Sequence, residues 1–196
     1  MTVDVAGAAA ALQAADDILI LTHRRPDGDT TGCAGALCRA LRQIGKTAYI
    51  LENPEITRRY APLIVPCYPP EGFVPGYVVS TDIAEEKLFP DPAEQYKGKV
   101  DLVIDHHGSN IGFGHKNLIR PDAGGCAEVL YDVINALGAK FTTDIAECIY
   151  VGVSTDTGCF KYSNTTAHSH AVAAACLTAG IDGGEINRAL FETKTM

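Results

Sequence analysis

Ile18-Leu19-Ile20-Leu21-Thr22, running straight into His23-Arg24-Arg25-Pro26-Asp27-Gly28-Asp29-Thr30-Thr31-Gly32, decides the fold. The first five residues read as a buried strand, since an unbroken apolar and β-branched run suits the interior of a parallel sheet. Pro26 and Gly28 then bend the chain. Residues 30–44 read as a helix, with Gly45 where a helix would stop. Working outward, Thr47-Ala48-Tyr49-Ile50-Leu51 resumes strand character. Residues 53–76 hold six prolines and two glycines and read as irregular structure with one short helix. Tyr77-Val78-Val79-Ser80-Thr81 and Val100-Asp101-Leu102-Val103-Ile104 are the next strands, joined by a turn-rich crossover over 83–99. The second half is helical, at 126–137, 143–153, 166–179 and 184–191. Strands alternating with helices predict an α/β fold, mainly a parallel sheet flanked by helices, with a helical C-terminal part.

Composition narrows the function. The chain has 196 residues, 46% of them hydrophobic, enough for one well-buried core. Sixteen Lys and Arg stand against 24 Asp and Glu, a net charge of -8. That balance argues against a membrane-surface binder and against a protein of long duplex DNA, whose affinity rests on basic patches. No apolar stretch approaches the ~20 residues of a membrane span. Seven scattered cysteines, odd in number and mostly within apolar segments, do not suit a secreted disulfide scaffold. Residues 1–15 are alanine-rich without a basic leader, so the expected location is the cytoplasm.

Four clusters carry the chemistry, and they fall at predicted strand or helix ends, where open α/β sheets bind ligands. They are His23/Asp27/Asp29, then Asp82, then Asp105-His106-His107-Gly108, then Thr155-Asp156-Thr157-Gly158. Taken alone, an aspartate at a strand end is usually a cap or turn residue, and paired histidines in loops are usually solvated. Together the clusters supply four carboxylates, Asp27, Asp29, Asp82 and Asp156. These would balance the charge of two divalent ions and would repel one another with only one. A dinuclear site of hard or borderline ions is the expectation, built for phosphoryl hydrolysis by an activated water.

This ordered set, from about residue 5 to 193, resembles the four motifs of the DHH phosphoesterase family, within the RecJ-like superfamily. The segment Asp156-Thr-Gly-Cys-Phe-Lys-Tyr-Ser-Asn-Thr-Thr looks most like the short bacterial oligoribonuclease (nano-RNase) and pAp phosphatase type. The resemblance implies a Rossmann-like parallel-sheet core and two Mn²⁺ ions, with Mg²⁺ or Co²⁺ as substitutes. It implies His23, Asp27 and Asp156 on one ion, Asp29 and His106 on the other, and Asp82 bridging. Asp105 then orients a neighbouring ligand, and His107 faces the substrate phosphate as donor or general acid, so that Asp82, Asp105 and His107 form the catalytic set. His107 is thereby a substrate contact, and Arg24 and Arg25, beside the cluster, read either as bidentate substrate-phosphate contacts or as exposed, structurally neutral arginines. The implied substrates are nano-RNA, pAp or linear or cyclic dinucleotides, and a homodimer is a further implication.

The departures from the family pattern are specific. Family members usually continue into a smaller substrate domain with a glycine-rich motif, and nothing of that kind follows Phe191. Residues 1–196 are therefore expected to be the catalytic DHH domain of a truncated chain. Cys33 stands where a small hydroxyl residue is common, and Gly124-Gly125-Cys126 replaces a Ser/Thr-rich helix start. His115, His168 and His170 read as ordinary loop, solvated or capping residues. Cys33 and Cys38 lie on different helix faces, which indicates neither zinc nor a disulfide. Tyr162 and Asn164 either line the cleft or pack. An inorganic pyrophosphatase-like hydrolase and a non-catalytic nucleotide-binding regulatory module are the competing readings.

Overall fold

Ile18 and Ile20 face one way from the first strand and Leu19 and Leu21 the other, and all four are buried. Both faces of the sheet are therefore covered. The structure, a computed structural model, describes residues 1–192. Five strands, β1 (Ile18–Leu21), β2 (Ala48–Ile50), β3 (Tyr77–Thr81), β4 (Leu102–Asp105) and β5 (Lys116–Ile119), form one sheet in the order β2-β1-β3-β4-β5. Every pairing is parallel, with Ile18 opposite both Ala48 and Tyr77. This order changes direction between β1 and β3, and the crevice at the carboxyl ends of those two strands is where such sheets bind ligands. The loop after β1 carries residues 23–29, and the residue after β3 is Asp82.

Helices α1 (Val5–Ala14), α2 (Gly28–Gln43), α4 (Cys126–Leu137), α5 (Thr143–Asp156) and α6 (Ala167–Thr178) build the larger core. In it Leu37, Leu41, Leu130, Ile134, Ile149 and Val153 pack beneath Ile18, Ile20, Val79 and Ile104. A short α3 (Ala61–Ile64) and a terminal α7 (Gly183–Asn187) complete the set. The opposite face is closed without long helices. Ile83, Phe89 and Ala93, from the crossover and its 3₁₀ turns Glu86–Leu88 and Asp91–Tyr96, cover Leu19, Leu21, Val78 and Val103. No helix among the described residues is long and apolar enough to cross a membrane.

Two elements are absent from the sequence reading. Asp4 caps α1 by accepting the Gly7 N–H at 2.8 Å. β5 runs along the sheet edge, and Asn117 exchanges backbone hydrogen bonds with Met1 and Val3. A third difference is one of length, because α5 continues through Asp156 as helix.

The crossing of α2 and α5 fixes where the ends of these two helices meet. At Gly32 the helices approach so closely that a Cβ would lie 2.3 Å from the Cys148 carbonyl oxygen. Glycine is needed there for space, and the close approach sets the end of α5 against the start of α2.

Candidate metal centre

Pro26 and the turn after β1 leave Asp27 as N-cap of α2, its Oδ1 accepting the Asp29 and Thr30 N–H groups at 3.0 and 3.2 Å. This cap is only half of its surroundings. His23 Nδ1 lies 2.7 Å from the Arg24 carbonyl oxygen, which leaves Nε2 turned inward, 3.6 Å from Asp27 Oδ1 and 3.8 Å from Asp82 Oδ2. His106 repeats the arrangement. Its Nδ1 faces the Ala123 carbonyl at 3.4 Å, and its Nε2 lies 3.6 Å from Asp82 Oδ1, 3.7 Å from Asp156 Oδ2 and 4.0 Å from Asp29 Oδ2. A ring nitrogen committed to a carbonyl fixes the other as a lone-pair donor, the usual set-up of a ligating histidine.

Asp82 stands between the two imidazoles. It is 3% exposed, its backbone is held at φ 57°, and its Oδ1 is buried without a hydrogen-bond partner. An aspartate held in the left-handed region, buried and unpaired, is a costly arrangement unless something positive sits against it. Asp29 is as buried but anchored differently: the N-terminus of α4 donates to it, Cys126 N–H at 2.6 Å and Ala127 N–H at 2.9 Å, with the Cys33 thiol at 3.4 Å. Gly125 admits this approach, since a Cβ there would lie 3.0 Å from Asp29 Oδ2.

The described residues thus form three overlapping groups able to hold a cation: His23, Asp27 and Asp82; Asp29, His106 and Asp156; and Asp82, His106 and His107. Asp156 differs from the sequence reading in its company. It lies with Asp29 and His106, not with His23 and Asp27, because α5 delivers it from the α2–α5 crossing to the Asp29 side. The orphaned Asp82 oxygen and the mixed carboxylate–imidazole donors fit hard or borderline divalent ions.

Electrostatics agree with this fit. Burial first, and then the Asp156 charge, push Asp29 up to about 7. Burial and the Asp29 charge hold Asp82 well above the carboxylate range, and burial raises Asp156. Burial pulls His23 down, but the Asp27 carboxylate outweighs it and leaves the imidazole raised, while Asp27 itself is lowered despite its own burial. Asp29 has its pKa raised on folding, so the folded metal-free chain binds more protons than the unfolded chain between the ordinary value of 3.8 and about 7. Stability of that form is expected to fall as pH rises through this window. Thermal melts in chelator from pH 4 to 8 check it: a falling Tm is expected, and a flat or rising profile contradicts the assignment.

Asp105 sits one step back. Its Oδ1 bonds His107 Nδ1 at 2.8 Å and the His106 N–H at 2.8 Å, and its Oδ2 accepts from Asn110 at 2.6 Å. The Asp105 bond raises the His107 pKa, and His107 Nδ1 lies 3.7 Å from Asp82 Oδ1. Arg24 and Arg25 are exposed at the rim. Asn164 proves a site neighbour: its Nδ2 donates to Asp156 Oδ2 at 3.3 Å and to the Gly124 carbonyl at 2.7 Å. Tyr162 is exposed, with its ring lying on Gly158. His115 and His168 pair with Asp101 and Asp132, and His170 stacks on Phe160, all apart from the three groups. Cys33 and Cys38 point to separate partners, Asp29 and the Ala48 carbonyl. Two supporting residues escaped the sequence reading, Asn110 behind Asp105 and Asn53, which donates to the His23 carbonyl. Neither lies in a recognisable spacing.

A parallel α/β sheet with a carboxylate–imidazole cluster at its switch point defines the class: an α/β protein with a cluster of oxygen and nitrogen donors able to hold a cation. The chain belongs to the DHH family, whose N-terminal domain matches residues 17–153. It is 37% identical over 172 residues to the bifunctional oligoribonuclease and PAP phosphatase NrnA of Thermus thermophilus, covering 86% of this chain and 52% of that protein. The chain thus spans about half the length of that relative. Among solved structures, an exopolyphosphatase-related protein from Bacteroides fragilis superimposes with a TM-score of 0.81 at 21% identity, covering 97% of this chain and 61% of that one. An exonuclease RecJ bound to manganese gives 0.57 at 14% identity, covering 96% of this chain and 55% of that one. These two likenesses are of fold.

Proposed function

We propose that this chain is the metal-bearing half of a hydrolase that cleaves phosphoester bonds of short oligonucleotides or nucleotides with two divalent ions, Mn²⁺ foremost. The single observation that carries the reading is Asp82, whose two oxygens face His23 on one side and His106 on the other, with Oδ1 unpaired. His23 and Asp27 would hold one ion, Asp29, His106 and Asp156 the other, and Asp82 both. Bound there, such ions supply Lewis acidity towards phosphoryl oxygens and an acidified water.

The protein's own groups do the rest. Asp105 holds His107 by Nδ1 and favours its protonated form, so that Nε2 is a donor to a phosphate oxygen or to the departing one. Asn110 keeps Asp105 oriented. Arg24 and Arg25 present guanidinium groups at the rim for a non-bridging phosphate oxygen. The Thermus thermophilus relative, named for oligoribonuclease and PAP phosphatase activities, supports the substrate class, and the manganese-bound RecJ supports the metal. Seven free cysteines, six of them buried, suit a cytoplasmic setting. The smaller substrate domain expected from the family pattern would close the cleft over this face.

His107→Gln is expected to lower turnover by about 10²–10⁴-fold, the usual worth of a positioned acid or base, while metal binding is kept. Turnover and Mn²⁺ titration on one preparation read both, and retained turnover contradicts the role. The function itself is tested by offering the Mn²⁺-loaded chain short oligoadenylates, pAp and pyrophosphate in parallel. Cleavage of the first two is expected. Cleavage of pyrophosphate alone would transfer the site to the pyrophosphatase reading, and tight nucleotide binding without cleavage would favour the regulatory module.

A further inference from the structure

Four of the chain's eight arginines, Arg24, Arg25, Arg58 and Arg59, lie in the two loops that follow β1 and β2, at the carboxyl ends of the sheet. All four are exposed, and none forms an ion pair with a carboxylate among the described residues, whereas Arg39 and Arg120 each do. The same loops also carry Asp27, Glu52 and Glu55, so these guanidinium groups are fixed, unpaired donors beside the candidate metal centre and not a basic patch.

The loop that carries the second pair is tied at its start to the loop that carries the first. Asn53, 1% exposed, donates to Thr22 Oγ1 and to the His23 carbonyl, both at 2.9 Å, so the loop that carries Arg58 and Arg59 starts against the backbone of a candidate metal ligand. Asn53 also shapes that loop, since its Oδ1 accepts the Glu55 N–H at 3.0 Å and its carbonyl the Ile56 N–H at 3.2 Å. Downstream, Arg39 of α2 donates to the Leu63 carbonyl at 2.8 Å. The turn at 57–60 closes between these two anchors, with Tyr60 and Ala61 N–H groups on the Thr57 carbonyl. Burial raises the Tyr60 phenol at the end of this turn, and the neighbouring Arg59 opposes that rise. The first pair is also fixed: Arg24 N–H donates to the Leu88 carbonyl at 2.7 Å, and Arg25 is held at φ 52°.

From this juxtaposition we infer that Arg58 and Arg59 form a phosphate-binding arm which, with Arg24 and Arg25, grips the backbone of an oligonucleotide beyond the phosphate at the metal centre. Guanidinium groups match phosphate oxygens with two parallel N–H donors. Arg24 and Arg25 adjoin His23 and suffice for one phosphate, so the second pair gains a purpose only when the substrate carries further phosphodiesters. The inference rests on the oligonucleotide reading and adds a chain-length preference to it.

The test is fluorescence anisotropy of 5′-labelled oligoadenylates of two to five nucleotides on this chain in Ca²⁺, with gels to confirm that the probes stay intact. Wild-type affinity is expected to rise at least tenfold from two to four nucleotides. Arg58→Ala/Arg59→Ala should reduce that ratio below threefold and make log K less dependent on log salt by about 0.7 for each phosphate no longer held. Arg58→Lys/Arg59→Lys, which keeps the charge and loses the fork, should fall between. An equal ratio in the alanine variant, or no rise with length in the wild type, overturns the arm. The reading it rests on fails separately: length-dependent binding that the substitutions flatten, without cleavage of any oligoadenylate by the Mn²⁺-loaded chain, keeps the arm and removes the hydrolase. Cleavage of all lengths with equal efficiency and equal affinity does the reverse.

Discussion

Asp82→Asn is expected to abolish hydrolysis, by at least about 10⁴-fold or 5–6 kcal/mol of transition-state stabilisation, and to remove the Mn²⁺-dependent rise in Tm. The substitution is chosen to disturb little else. Asparagine tolerates the left-handed backbone of φ 57° as aspartate does, and the volume is unchanged. What disappears is the negative charge that faces His23 and His106. In the metal-free chain that charge is a burden, because Asp82 is buried beside Asp29 and its charged form is disfavoured. The metal-free variant should therefore melt at or above the wild-type temperature, while in Mn²⁺ the order reverses, since only the wild type gains from a ligand bound to the folded state. This crossing of two melting curves separates a metal bridge from a packing residue. A packing residue would lose stability in both conditions.

Gly32→Ala should have the largest effect on the fold. A Cβ at that position would lie 2.3 Å from the Cys148 carbonyl and 3.1 Å from the Gly152 nitrogen, both backbone atoms that cannot swing aside. Overpacking of a helix crossing costs about 3 kcal/mol or more when no side chain can give way. At the size of this chain that is roughly 6–12 °C in Tm. Because α5 carries Asp156 and α2 carries Asp29, forcing the helices apart should also weaken metal binding in whatever protein remains folded. Differential scanning calorimetry with and without Mn²⁺ reads both effects, and an unchanged Tm would show that the crossing is looser than described.

The candidate site was legible in the sequence because most of its residues follow strands, with Asp156 closing helix α5. His23, Asp27, Asp29, Asp82, Asp105, His106 and His107 follow or end apolar strands whose direction the parallel sheet dictates. The sheet order then brings the loops after β1 and β3 to one crevice. What was not legible depends on packing between distant segments. The company of Asp156 is set by the α2–α5 crossing, which no local spacing encodes. Asn53, Asn110 and Asn164 act through hydrogen bonds on the His23 carbonyl, Asp105 and Asp156, and an asparagine in a loop looks the same in sequence whether or not it does so. β5 has a lysine and an asparagine in its four residues and owes its place to pairing with Leu102–Asp105. α1 is largely alanine, and its buried Ala8, Ala9 and Leu12 acquire meaning only against the core.

The most direct test of the central claim is the Mn²⁺ content of the purified chain, measured by elemental analysis after equilibration with excess metal and desalting. Two ions per wild-type chain, falling to one or none in Asp82→Asn, is the result predicted by three carboxylates and two imidazoles gathered around the shared Asp82. A folded wild-type chain that retains no ion, or a variant that retains two, would contradict it.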